Sequence, residues 1–358
     1  MLKARAAVQN LPTYDPPLAG RDGLRLDFNE NTIGCSARVV ARLQSMTAEE
    51  VARYPEREAV EVLVAEHLCI CRDELLLTNG VDEGIHLLCE TFLEPGDEAL
   101  IVVPTFSMYE ISAAATGART IRVLADDDFR FPLDKVLLSI TQRTRLIAIA
   151  NPNNPTGAVV EGRAIESICA AAPHAAVLVD EAYYHFYGQT VLGAWRERPN
   201  LFVARTFSKA YGLAGLRIGV LTGACPAMAM VRKVSSPYNL NSVALACLPT
   251  ALADDEHVSN YVAEVRIGRE RLQEELRAWA IEYWPSQGNF VLFRGGELNQ
   301  PFIRAMRQRG ILVRDRSADP GCAGCVRITI GVAEQTERLF AALHESFDEI
   351  GLKQPEAV

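Results

Sequence analysis

The stretch Leu201-Phe202-Val203-Ala204-Arg205-Thr206-Phe207-Ser208-Lys209-Ala210-Tyr211-Gly212-Leu213-Ala214-Gly215-Leu216-Arg217 reads as a buried strand, Leu201–Thr206, running out into a glycine-containing loop. A lysine at the mouth of such a strand stands at the carboxyl edge of a sheet, where open α/β folds bind ligands. Six other apolar runs read the same way: Leu75–Thr78, Ala99–Val103, Thr120–Val123, Leu146–Ala150, Ala176–Asp180 and Ile218–Leu221. Helix patterns at Asp82–Phe92, Phe106–Thr116 and Gly162–Ala171 fall between them. Strand–helix alternation with nearly unbroken apolar strands predicts an α/β unit with a mainly parallel seven-stranded sheet covered by helices.

Outward from this region the pattern changes. Residues 1–34 bear Pro and Gly with weak periodicity and read as an arm. Residues 46–69 are helical in spacing, interrupted at Tyr54-Pro55. Beyond about residue 240, apolar positions from Val258 to Trp279 recur at helical spacing. Short strands at Phe290–Phe293, Ile311–Arg314 and Val326–Ile330 and a last helix over Glu334–Ile350 follow. The expected division is an arm and part of a small domain over 1–45, a large cofactor-binding domain over 46–245, and a smaller α+β domain over 246–358.

The 358 residues are 49% apolar, enough for a sizeable core, and the net charge of −9 argues against nucleic-acid or membrane-surface partners. No apolar leader or membrane-length run is present, so a cytoplasmic protein is expected. Nine scattered cysteines argue for reduced thiols. Cys322-Ala-Gly-Cys325 has metal-like spacing, but a zinc site needs about four ligands and no second pair lies nearby, so the expectation is a plain loop and no metal.

Chemistry concentrates at the strand ends. Val177-Leu178-Val179-Asp180-Glu181-Ala182-Tyr183 places an acid at the end of one strand, and Asn151-Pro152-Asn153-Asn154-Pro155-Thr156-Gly157 places an amide-rich loop at the end of another. Taken singly, Asp180 reads as a helix N-cap and the Asn-Pro loop as an ordinary turn. Together with Lys209 they match what pyridoxal 5'-phosphate requires: an amine for covalent attachment, an anion facing the pyridinium nitrogen, and donors to the ring oxygen. For the phosphate, Thr78-Asn79-Gly80-Val81-Asp82-Glu83-Gly84 joins a strand to a helix N-terminus. Thr206, Ser208 and Arg217 would complete the cradle. The Asp82 carboxylate is awkward beside a phosphate. Its backbone N–H is expected to matter more, with the carboxylate free to cap the helix.

These motifs resemble the class I/II aminotransferases of the aspartate aminotransferase fold and, among them, the histidinol-phosphate aminotransferases. The resemblance spans nearly the whole chain: Asn29-Glu30-Asn31, Arg53-Tyr54-Pro55, Pro104-Thr105-Phe106, Asn151 to Gly157, Asp180 to Tyr183, Ser208-Lys209 with Arg217, Ser236 to Asn239, Gly310 to Asp315, and Val326 to Thr329. It departs from the usual pattern at Thr32-Ile33-Gly34 and at Phe106, a position more often Tyr.

The resemblance implies that Lys209 links the cofactor and moves a proton. Asp180 would pair with the ring nitrogen, Tyr183 and Asn154 contact the ring oxygen, and Phe106 stack on the ring. Arg217, Thr206, Ser208 and the backbone of Gly80, Val81 and Asp82 would hold the phosphate. Tyr54 would reach the cofactor phosphate of a second subunit, implying a homodimer with shared sites. Arg327 would take the substrate α-carboxylate of glutamate or 2-oxoglutarate, and Asn154 would also belong to the substrate-binding set. Arg314 and Tyr14 would take the phosphate of histidinol phosphate. To act as a base, Lys209 must be neutral, well below its unperturbed pKa of about 10.4.

The nearest alternative is an aromatic or broad-range amino-acid aminotransferase of the same fold. A phosphothreonine decarboxylase is a more distant one. A non-catalytic cofactor-binding regulator would need an added DNA-binding domain for which there is no room, and no Gly-x-Gly-x-x-Gly follows a strand to support a nicotinamide enzyme.

Overall fold

The computed structural model describes residues 2–9, 11, 13, 20 and 22–352. Strand β1 is Leu24–Arg25. Then come β2 (Leu75–Thr78), β3 (Glu98–Val103), β4 (Arg119–Leu124), β5 (Thr144–Ala150), β6 (Ala176–Asp180), β7 (Leu201–Thr206) and β8 (Gly219–Gly223). The last seven form one sheet in the order β2-β8-β7-β6-β5-β3-β4. Only β8 runs against its neighbours, so the sheet is mainly parallel as expected. The central strands β6 and β7 are buried along their whole length, which is why they carry no polar alternation. Separate apolar clusters cover the two faces.

The register decides where the chemistry gathers. Ala150 of β5 lies level with Asp180 of β6, and Asp180 level with Ala204 of β7. Thr206 pairs with Gly219, which in turn pairs with Thr78. The Asn-Pro loop, the acid, the lysine loop and the Gly80 turn therefore leave the sheet side by side along one edge.

The C-terminal part is built around the helix Asp255–Ala278 and an antiparallel sheet of β9 (Tyr283–Trp284), β10 (Phe290–Arg294), β12 (Arg314–Asp315) and β13 (Cys325–Thr329), with β11 (Ile311–Leu312) apart from it. The last helix, Ala333–Glu349, packs on it. Two sequence expectations need correction. The run Ile311–Arg314 is two strands in different sheets: β11 pairs in parallel with β1, and Arg314 pairs with β13. The arm 1–34 is likewise not wholly irregular, because Leu24 and Arg25 form β1. Two-residue strands are too short to leave a periodic signal.

Cys322 and Cys325 sit in a tight turn, with the Cys325 N–H donating to the Cys322 carbonyl at 2.9 Å. Both side chains are buried against Phe129, Trp284 and Leu292. Among the described residues no helix is long and apolar enough to cross a membrane.

Candidate active site

A cavity of about 220 Å³ opens at the sheet edge where these loops meet. It is lined by Val81, Asp82, Phe106, Asn154, Asp180, Tyr183, Thr206, Ser208, Lys209, Arg217, Arg314 and Arg327 among others, so twelve of the residues singled out from sequence share one space. Gly80 lies just behind it. Tyr54 does not line the cavity of its own chain; it is 75% exposed and stacks on Tyr238 with ring centroids 4.2 Å apart. Tyr14 lies outside the described residues.

Asp180 is buried, and no described cation pairs with it. Its Oδ2 accepts a hydrogen bond from the Tyr109 hydroxyl at 2.7 Å and its Oδ1 one from the Ala182 N–H at 3.0 Å. Burial raises its pKa to about 6, against the pull of those two donors. Tyr109 was not singled out from the sequence. It is the second residue of the helix Met108–Thr116, three residues beyond Phe106, whose ring it meets edge-on at 5.8 Å. The i, i+3 spacing across the turn that opens the helix was the available signal.

Lys209 is half-buried, and its Nζ donates to the Phe28 carbonyl at 3.2 Å. Burial, aided by the charge of Arg327, lowers its pKa from 10.5 to about 8. Tyr183 accepts a hydrogen bond from Asn29 Nδ2 at 2.9 Å. Asn29 is fixed in turn by Thr329 and Asn289, which ties the arm to the small sheet beneath the cavity.

The phosphate cradle is made by shape as well as charge. Gly80 has φ +75°, and a Cβ there would sit 2.6 Å from Arg217 Nη2. The Ser208 hydroxyl oxygen is buried without a hydrogen-bond partner, while Thr206 Oγ1 accepts from the Ser208 N–H at 3.1 Å. One expectation fails here: Asp82 does not cap the helix Gly80–Phe92. Its carboxylate instead takes Arg217 Nη2 at 2.7 Å, and Glu83 accepts from the Asn79 N–H. The guanidinium is a stronger partner for a carboxylate than one backbone amide.

At the other wall, Arg327 of β13 stands directly opposite Arg314 of β12 in the antiparallel register. Like charges facing each other across a strand pair are destabilising, so the arrangement calls for an anion between them. Arg327 is buried, bonded to Asn154 Oδ1 and to the Asp27 carbonyl, the latter at 2.7 Å. Burial, with Arg316 and Arg314 nearby, pushes it down to about 9, so it stays cationic near neutrality. Arg314 lies over the Phe28 ring at 5.0 Å. Arg316, also on the cavity wall, was overlooked in the sequence, although its i, i+2 spacing from Arg314 on an extended segment marks the same face.

The residues present fit pyridoxal phosphate. A buried hydroxyl without a partner and a cradle that a Cβ would fill suit the phosphate, a buried carboxylate without a counter-cation suits a protonated ring nitrogen, and a lysine of lowered pKa lies between.

The family model "Aminotransferase class I and II" matches residues 21–343. A histidinol-phosphate aminotransferase from Geobacillus sp. (strain WCH70) is 33% identical over 365 residues, covering 97% of this chain and 99% of that one. The structure of histidinol-phosphate aminotransferase from Sinorhizobium meliloti in complex with pyridoxal-5'-phosphate superposes with a TM-score of 0.87 at 24% identity, covering 98% of this chain and 99% of that one. Aspartate aminotransferase from Thermus thermophilus with maleate gives 0.81 at 22% identity, covering 98% and 100%. The last two speak to the fold.

Proposed function

We propose, from the premise that this chain belongs to the class I and II aminotransferase family and is a pyridoxal-phosphate-dependent transaminase, that it moves an amino group between histidinol phosphate or imidazole acetol phosphate and glutamate or 2-oxoglutarate. The observation that carries the substrate assignment is the facing pair Arg314 and Arg327, with Arg316 beside them, on one wall of the cavity. Guanidinium forks bind phosphate and carboxylate bidentately. A free aromatic side chain would leave that charge bare.

Pyridoxal phosphate, when bound, supplies an electron sink for the carbanion formed at the substrate Cα. Lys209 would hold the cofactor through Nζ and, as a neutral amine, would serve as the base that takes the proton from the substrate Cα. Its lowered pKa serves both roles, since taking it from 10.5 to about 8 raises the neutral fraction at pH 7 roughly 300-fold.

Asp180 would pair with the ring nitrogen and keep it protonated, with Tyr109 and the Ala182 N–H holding the carboxylate in line. Fixed charge where charge develops is commonly the largest catalytic contribution. Tyr183 and the amide of Asn154 orient the ring oxygen, and Phe106 covers the ring. Arg217, Thr206, Ser208 and the backbone of Gly80 to Asp82 hold the phosphate. Arg327 would bind the α-carboxylate of glutamate, and Arg314, facing it, would serve the substrate phosphate.

The exposed stack of Tyr54 on Tyr238 supports a homodimer in which Tyr54 reaches the neighbouring subunit's cofactor phosphate. Nine free cysteines support a reducing, cytoplasmic setting.

The test is a substrate panel. Histidinol phosphate, phenylalanine, tyrosine and leucine are each offered with 2-oxoglutarate, and keto product, glutamate and carbon dioxide are measured. Highest kcat/KM for histidinol phosphate with glutamate formation is expected. Preference for a free aromatic acid would move the assignment to the broad-range enzyme, and carbon dioxide release from a phosphorylated amino acid would move it to a decarboxylase.

A further inference from the structure

The wall of the cavity beyond Arg327 holds a charge arrangement that the motifs do not account for. Asp315 of β12 points away, its carboxylate accepting from Asn299 Nδ2 at 3.1 Å, Gln300 Nε2 at 2.6 Å and the Ser317 N–H at 2.9 Å. Its neighbours Arg314 and Arg316 therefore face the other way, and both line the cavity. The Arg316 N–H donates to the Cys325 carbonyl at 2.9 Å, which continues the β12–β13 pairing by one residue and fixes the side chain's origin.

The Arg316 side chain is only 14% exposed. Its Nη2 forms an ion pair with Asp319, whose own N–H closes a turn onto the Arg316 carbonyl at 3.0 Å. Its Nε is buried and has no partner. With Nη2 paired to Asp319, the unpartnered Nε–H is among the guanidinium donors left for a ligand.

Among the described residues that line this wall or pair with its arginines, three guanidinium groups meet one carboxylate, Asp319, an excess of two positive charges. A phosphate monoester carries between −1.5 and −2 near neutral pH, which matches that excess. A monocarboxylate or a sulfate ester neutralises only one charge and leaves the other in a poorly solvated site, where an uncompensated charge is costly.

We propose that Arg316, poised on Asp319, is a specificity-determining residue that makes the substrate site recognise the second negative charge of a phosphate monoester. Arg327 suffices for a single carboxylate and Arg314, facing it across the strand pair, joins it on a phosphate; Arg316 adds the donor and the charge that separate a dianion from a monoanion of the same shape. The inference rests on the reading that the substrate carries a phosphate.

Methyl phosphate and methyl sulfate are nearly isosteric and differ by one charge at pH 7.5, so competitive inhibition of the holoenzyme by each, against varied amino donor, isolates the effect. The wild-type protein should be inhibited at least about tenfold more strongly by methyl phosphate, consistent with one additional charge-assisted hydrogen bond. Arg316→Gln should reduce that preference to roughly twofold, the ratio of the two inhibition constants being read within the same variant. Arg316→Lys, which keeps the charge in a similar volume, should retain most of the preference.

A wild-type preference that survives in Arg316→Gln, or is lost equally in Arg316→Lys, overturns the role of Arg316 and leaves the proposed substrate standing. Absence of any wild-type preference, together with no turnover of histidinol phosphate, removes the phosphate reading and this inference with it.

Discussion

The hydroxyl of Tyr109 donates to Asp180 Oδ2 at 2.7 Å within a wholly buried pair. Without that bond a desolvated carboxylate would keep only the Ala182 N–H, and its ionised form would be harder to hold. Hydrogen bonds to charged groups are worth about 1.5–3 kcal/mol. Tyr109→Phe should therefore weaken pyridoxal phosphate binding at pH 7.5 by about tenfold or more. Asp180→Asn should weaken it further and lower kcat by orders of magnitude. Absorbance titration of the cofactor-free protein gives the affinities; an unchanged value in Tyr109→Phe would mean that the bond does not support Asp180.

Lys209 sets a pH dependence. Its pKa is lowered by burial, so the charged form is disfavoured and the neutral amine accumulates as pH rises through about 8. Covalent capture of pyridoxal phosphate by the cofactor-free protein should accelerate from pH 6.5 and level off above about 8.5, and stopped-flow absorbance follows it directly. A rate still climbing steeply at pH 10 would place Lys209 in an unperturbed environment.

Gly80→Ala tests the phosphate cradle. It forces a Cβ to 2.6 Å from Arg217 Nη2 at φ +75°, whereas Gly96, at φ +99°, has open space around it. Both alanine variants carry backbone strain of about 1–3 kcal/mol. Only Gly80→Ala should also loosen the cofactor, by about tenfold, because it displaces Arg217. Thermal melts with and without pyridoxal phosphate separate the two effects.

Arg314→Ala should raise the KM for histidinol phosphate by about 30-fold or more while leaving glutamate within a few-fold, because Arg327 alone suffices for one carboxylate. Steady-state kinetics with each donor decide this, and equal losses would show that the phosphate is not held there.

The sheet was legible because its strands are buried on both faces. Runs such as Ala176–Asp180 and Leu201–Thr206 carry their own signal, and their ends fixed where Asp180 and Lys209 would emerge. What escaped depends on partners distant in sequence. β1 exists only through its pairing with β11, 287 residues away at Leu24 and Ile311. The Asp82 carboxylate could be assigned to Arg217 rather than to the helix end only once 135 residues of intervening chain were folded. Tyr109 and Arg316 were masked by more conspicuous neighbours, Phe106 and Arg314, although each shares a face with its neighbour at helical or extended spacing.

The central claim is that the Lys209 amine carries pyridoxal phosphate covalently. Wild-type and Lys209→Ala proteins are loaded with the cofactor, freed of excess by desalting, and their absorbance is recorded from 300 to 500 nm. A near-visible band is expected to stay with the wild-type protein through desalting and to be missing from Lys209→Ala. The same band retained by the variant would contradict covalent attachment through Lys209.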